Sequence, residues 1–192
     1  MQPLPTVKNN QLYYFELTCM TQDNFRQGRT MSTEQERSFI ARIRCEQAPL
    51  GFIRGWLSGQ EPNLLTITDD NVDLIGYFRC YDDYYNIQIR SKACLGNFIS
   101  KNSNANLAAC PPAGGNTTSY NLLDANHQMI TLDNIQGDKA YVYLKTRNSS
   151  IVTLQESPAY EWFSSHSGEA VQFELTILER NVPYPTSDEP YS

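Results

Sequence analysis

The feature that most constrains this chain is a succession of short apolar runs, each cut off by turn-forming residues before a long helix can build. From Ser38 onward the runs cover residues 39–45, 51–57, 64–68, 75–81 and 84–91, then 97–100, 106–110, 120–123 and 128–132. The last group is 140–146, 151–154, 160–163 and 171–178. Several alternate: Tyr85, Ile87 and Ile89 stand against Asn86, Gln88 and Arg90, and Phe173, Leu175 and Ile177 against Glu174, Thr176 and Leu178. A period of two puts each set on one face of a pleated strand. The breaks at residues 59–63, 69–71, 111–115 and 165–168 are rich in Gly, Pro, Asn, Asp and Ser, whose backbone and side-chain chemistry closes turns. About thirteen short strands without a convincing amphipathic helix predict an all-β domain, either a closed barrel or a sandwich.

A chain of 192 residues is expected to form one domain, with an ordered core over 12–180. Residues 12–20 predict an aromatic strand, with Tyr13, Phe15 and Leu17 on one face. Residues 21–37 are polar and read as a loop or short helix; Ser32 and Thr33 offer capping oxygens. Pro183, Pro185 and Pro190 mark residues 181–192 as an irregular tail. Hydrophobic residues at 40% and charged residues at 19%, with abundant Tyr and Phe, are too apolar a mixture for a disordered chain.

The formal net charge is -6, and no run of Lys or Arg is dense enough to neutralise several phosphates together. Nucleic acid is therefore not an expected partner, nor is an anionic membrane bound by charge alone. Arg42, Arg44, Arg54, Arg79 and Arg90 alternate with apolar residues and read as a solvated strand face. No run approaches the length of a transmembrane helix, and no basic segment leads into an apolar stretch near Met1. A cytoplasmic location is the expectation, replaced by secretion if a signal peptide has been removed from the chain. Cys19, Cys45, Cys80, Cys94 and Cys110 are odd in number and lack zinc-ligand spacing, so buried thiols are expected ahead of disulfides. Asn116-Thr117-Thr118 and Asn148-Ser149-Ser150 match the glycosylation acceptor pattern, as chance allows in an Asn- and Ser-rich chain.

An internal comparison narrows the fold. Ile43-Arg44-Cys45, Gly51-Phe52-Ile53, Leu65-Thr66-Ile67 and Tyr77-Phe78 are echoed by Ile89-Arg90-Ser91, Gly96-Asn97-Phe98-Ile99-Ser100, Leu107-Ala108-Ala109 and Tyr120-Asn121-Leu122. A third series runs Leu144-Lys145-Thr146, Ile151-Val152-Thr153-Leu154, Trp162-Phe163 and Phe173-Glu174-Leu175. Three such units can bury together apolar faces that none could bury alone. On these residues, and most closely over Ile89 to Leu122, residues 38–180 resemble the β-trefoil superfamily, ricin-B-like or fascin-like. The resemblance implies a barrel capped by a hairpin triplet, preferred here over a β-sandwich. The Gln-x-Trp signature of ricin-type lectins is absent, and Glu161-Trp162 does not replace it.

Enzyme motifs are sparse: there is no phosphate-binding glycine loop, no H-E-x-x-H and no G-x-S-x-G. His166 beside Ser164 and Ser165 reads as an exposed turn histidine before it reads as an acyl-transfer base. Asp69, Asp70 and Asp73, with Asn71, gather oxygen donors that suit part of a calcium shell, although the spacing is not that of a twelve-residue calcium loop. Asp82 and Asp83 can serve with Glu61 or Glu161 as a glycosidase dyad only at a controlled separation. Tyr81 and Tyr84 flank Asp82-Asp83, and Trp56 lies between Gly55 and Gly59; rings beside carboxylates make a candidate carbohydrate site. The trefoil resemblance implies lectin-like sites as well. The expected function is thus non-enzymatic recognition, with a glycan as the first ligand class. Alternatives are a protein-binding protein, or a protease inhibitor presenting residues 59–63 or 111–115. A small β-fold hydrolase is the enzymatic alternative.

Overall fold

The computed structural model describes residues 37–46, 48–52, 63–70, 72–112, 115–158, 160–185 and 189–191. The strand expected at 12–20, the polar segment up to residue 36, and Arg54, Trp56 and Glu61 lie outside them. The described residues form β1 Phe39–Cys45, β2 Ala48–Phe52, β3 Leu65–Ile67, β4 Leu74–Tyr81, β5 Tyr84–Ile89, β6 Phe98–Lys101 and β7 Leu107–Cys110. There follow β8 Ser119–Leu123, β9 Met129–Ile130, a 3-10 turn at Leu132–Asn134, β10 Lys139–Thr146, β11 Thr153–Glu156, β12 Glu161–Ser164 and β13 Gln172–Arg180.

Six strands close a ring. β1 pairs with β13, β13 with β10, β10 with β8, β8 with β5, β5 with β4, and β4 returns to β1, always antiparallel. The architecture is all-β, and its closed barrel replaces the two stacked sheets expected as the alternative. Closure leaves the ring strands no open edge. Three times along the chain a ring strand leads through an outer hairpin back to the ring. β2–β3 lies between β1 and β4, β6–β7 between β5 and β8, and β11–β12 between β10 and β13. The short β9 pairs with β8.

The hairpins meet one another. Leu64 bridges to Ala108, Asn106 bridges to Ser164, and the Thr66 hydroxyl donates to the Glu161 carbonyl. Leu64 and Ala108 pack with the half-buried Cys110, Tyr160 and Trp162. The Trp162 indole N–H donates to Asn106 Oδ1 at 3.0 Å, which ties β12 to the start of β7.

Strand alternation fills the ring. Phe39, Ala41 and Ile43 of β1 join Phe78 of β4, Tyr85, Ile87 and Ile89 of β5, and Tyr120 and Leu122 of β8 in one core. Val142 and Leu144 of β10 and Phe173, Leu175 and Ile177 of β13 complete it. Each large apolar side chain so buried contributes about 1.5–3 kcal/mol against chain entropy. Phe39 stacks on Phe78 at 4.5 Å between ring centroids, and Tyr85 meets both rings edge-on. The Leu132 amide donates to the Tyr85 hydroxyl oxygen at 2.9 Å, which ties the 3-10 turn to the core. Burial pushes the Tyr85 and Tyr120 phenols well above their ordinary pKa. The Tyr120 hydroxyl is buried without a hydrogen-bond partner among the described residues. Burial, then Glu46 and Glu161, pushes the Cys45 thiol up to about 11. No disulfide joins Cys45, Cys80, Cys94 and Cys110 to one another.

The outward-facing arginines are not a solvated row. Arg42 Nε lies 2.7 Å from Asp73 Oδ2 as an ion pair without a well-directed hydrogen bond, while Arg44 donates to Asp73 Oδ1 at 2.7 Å. Arg90 is only 6% exposed, and the Arg79 guanidinium lies over the rings of Tyr81 and Tyr184. Alternation identified the face, but long-range partners decide whether water reaches it.

Candidate functional site

A cleft of about 470 Å³ opens where the β2–β3 hairpin faces the segment entering β4 and the loop leaving β5. Its apolar wall comes from Leu50, Phe52 and Leu74, and its polar rim from Asn63, Thr68, Asp70, Ser91 and Lys92. Gly51 sits in this wall because a Cβ there would come within 3.0 Å of the Thr68 methyl group. The missing side chain lets β2 and the end of β3 approach, and the Thr68 amide donates to the Pro49 carbonyl at 3.1 Å.

Local hydrogen bonds set the rim. The Asp70 amide donates to Thr68 Oγ1 at 3.1 Å, and the Val72 amide to the Asp70 carbonyl at 2.8 Å. The buried Ser91 hydroxyl donates to the Asp73 carbonyl at 3.0 Å and accepts the Ile75 amide at 2.6 Å. These bonds hold the β4 entrance against the β5 exit. The carboxylate of Asp70 and the ammonium of Lys92 are exposed at the cleft, and Val72 is 56% exposed beside them. A small polar ligand with one apolar face meets both kinds of surface here.

The aspartates expected to bind calcium are divided in role. Asp69 and Asp70 are exposed in the bend after β3, whereas both Asp73 oxygens face the arginines of β1. Two guanidiniums at Asp73 oppose a second cation there. Among the described residues, no group of three or more His, Cys, Asp or Glu side chains is placed to hold a metal ion.

The expected carbohydrate residues are divided too. Asp82 and Asp83 are exposed in the turn between β4 and β5, with Asp82 in left-handed backbone at φ 65°. Tyr81 and Tyr84 stack on each other at 5.5 Å between centroids. Arg79 lies 5.0 Å from the Tyr81 centroid and Arg147 lies 4.0 Å from that of Tyr84. Ring and guanidinium contacts thus engage the faces that a sugar would use, leaving the turn's carboxylates as its open chemistry. Trp56 lies outside the described residues, as do residues 59–62, 113 and 114 of the two loops considered for protease inhibition.

The His166 ring is engaged by backbone, as expected of a turn histidine. Its Nε2 lies 2.9 Å from the Asn104 carbonyl oxygen, which requires the ring to donate there. Ser164 is fully buried and accepts the His166 amide at 3.1 Å. Glu161 lies on β12, in an outer hairpin, while Asp82 and Asp83 occupy a turn between ring strands.

Sequence reasoning missed Lys92, Ser91 and Asn63 as cleft residues. The only local signal was the Asp-rich bend, because the other walls arrive from separate strands. No helix among the described residues is long and apolar enough to cross a membrane. Comparison with known proteins finds no matching family model, no matching curated sequence and no matching solved structure.

Proposed function

We propose that this chain is a β-trefoil recognition domain that binds a small saccharide in the cleft beside β2 and β3. The trefoil reading is supported by the three strand–hairpin–strand passages around a six-strand ring and by the bridges among the hairpins. It is also supported by equivalent inward positions: Ile43, Ile89 and Leu144 are all at most 1% exposed.

The observation that carries the function is the lining of the cleft, an apolar wall of Leu50, Phe52 and Leu74 beneath a rim of amide, hydroxyl, carboxylate and ammonium groups. A pyranose offers the matching surface, C–H groups on its faces and hydroxyls around its edge. The cleft volume of about 470 Å³ falls within the roughly 300–1,000 Å³ typical of small-ligand sites. In this reading Asp70 accepts from ligand hydroxyls, Lys92 donates to ligand oxygens, and Phe52 packs against the ring.

The test is a glycan array probed with the wild-type protein and with Asp70→Ala and Lys92→Ala, each with and without calcium. Both side chains are exposed, so the substitutions spare the core. Loss of a charged hydrogen bond predicts roughly ten- to hundredfold weaker binding to one sugar family. No glycan binding in either condition, or binding unchanged by both substitutions, overturns the reading.

A further inference from the structure

The described residues of the C-terminal segment, 181–185 and 189–191, dock along the outside of the ring and form no strand. The Val182 amide donates to the Ser38 carbonyl at 3.0 Å, and the Tyr77 hydroxyl donates to the Val182 carbonyl at 3.1 Å. The Tyr184 ring lies edge-on to Tyr77 at 6.0 Å, with the Arg79 guanidinium 4.8 Å from its centroid. Gln88 Nε2 reaches the Tyr184 hydroxyl at 3.4 Å. Farther along, Arg90 donates to the Glu189 carbonyl at 2.6 Å and accepts the Tyr191 amide on its own carbonyl at 3.0 Å.

We propose that the outer face of β1, β4 and β5 is a peptide-binding groove for an extended, proline-spaced tyrosine segment. The chain's own tail occupies this groove, and a partner peptide of the same chemistry exchanges with it.

The chemistry of the occupant is on both surfaces. Pro183, Pro185 and Pro190 preset an extended backbone and reduce the entropy lost on docking. The groove supplies what such a segment needs: an aromatic neighbour in Tyr77, cations in Arg79 and Arg90, and an amide in Gln88. Arg79 and Arg90 also favour an acidic peptide, and the tail carries Asp188 and Glu189.

The tail is poised for exchange because its apolar anchorage is slight. Val182 and Tyr191 join a small satellite cluster with Ile40 and Tyr77, separate from the barrel core. Tyr184 remains 44% exposed. A segment held by few apolar contacts opens at a lower free energy than the strands beneath it.

The test uses the full chain in two measurements. In the wild type, hydrogen exchange of the Val182 and Tyr191 amides should run at least about tenfold faster than that of the β4 and β5 amides, through local opening. Equal rates would mean that only global unfolding frees the tail, and would overturn the proposal. The second probe is a fluorescein-labelled peptide of residues 181–191, followed by anisotropy. Tyr184→Ala/Tyr191→Ala protein, with its fold checked by circular dichroism, should bind this peptide at least about tenfold more tightly than wild type. The closed tail lowers the competent fraction of the wild type by that factor. Adding Arg79→Ala and Gln88→Ala should abolish the gain. A folded tail variant that ignores the peptide, or binds a scrambled one equally well, also overturns the proposal.

Discussion

Gly76→Ala tests the barrel interior directly. Gly76 lies on β4 opposite Ala41 of β1 and Ile89 of β5. A Cβ at this position would lie 2.9 Å from Ile87 Cγ2, 3.0 Å from Ile43 Cδ1 and 3.4 Å from Phe78 Cε2. Those three side chains are at most 1% exposed, so none can swing into solvent. Overpacking of this kind costs about 1–3 kcal/mol, against which alanine recovers about 0.5–1 kcal/mol of unfolded-state entropy. The net expectation is destabilisation by about 1–2 kcal/mol, or a fall of about 2–8 °C in Tm for a chain of this size. Urea melts and calorimetry measure it. Gly137→Ala is the control, because nothing lies within 4 Å of its Cβ position, and only the entropic gain of about 0.5–1 kcal/mol is expected there. Ile43→Val removes the Cδ1 contact but leaves Ile87 Cγ2 in place, so rescue in the double variant is partial. It should appear as a coupling of at least about 0.5 kcal/mol. A Gly76→Ala protein as stable as wild type, with no coupling to Ile43, would refute this account of the packing.

Asp73→Asn removes the charge that Arg42 and Arg44 share. Because all three side chains are partly exposed, the expected loss is about 1 kcal/mol, diminished at high salt; an unchanged urea midpoint would contradict it. Added calcium should leave the wild-type Tm unchanged, since that carboxylate already faces two guanidiniums; a clear rise would contradict the assignment. Stability should fall as pH rises through the ordinary ionisation range of Cys and Tyr, at 9.0 and 10.0. The sign follows from burial. The folded pKa values of Cys45, Tyr85 and Tyr120 are raised, so their contribution is complete below the unfolded pKa and is lost toward the folded one. Above its unfolded pKa each such group removes about 1.4 kcal/mol per pH unit, and urea midpoints that stay level between about pH 8 and 10.5 would contradict this. Cys45 should resist a thiol reagent in the folded protein and react on unfolding, as read by mass spectrometry of the labelled peptides.

The strands were legible because their signal is local. The run at Phe39–Cys45 matches β1, and the alternation of Tyr85, Ile87 and Ile89 against Asn86, Gln88 and Arg90 separates the interior from the exterior of β5. Closure into a ring was less legible, since the pairing of β1 with β13 joins the two ends of the described fold. Site chemistry was least legible. Asp73 reads locally as one of a cluster of acids, yet its partners stand some thirty positions earlier on β1. Tyr81 and Tyr84 read as open platforms because sequence shows their proximity but not the rings and guanidiniums stacked on them. The prolines of the tail predict irregular chain but say nothing of its docking, which depends on Tyr77, Arg79, Gln88 and Arg90, a hundred positions away.

The most direct test of saccharide recognition is a titration of isotope-labelled protein with the best-binding sugar from the array, followed by amide NMR. The proposed site predicts a concerted, saturable shift of the Gly51, Thr68, Asp70, Val72, Ser91 and Lys92 amides, while the Tyr81–Tyr84 turn stays still. Shifts that gather at that turn, or no saturable shift in the cleft, would contradict it.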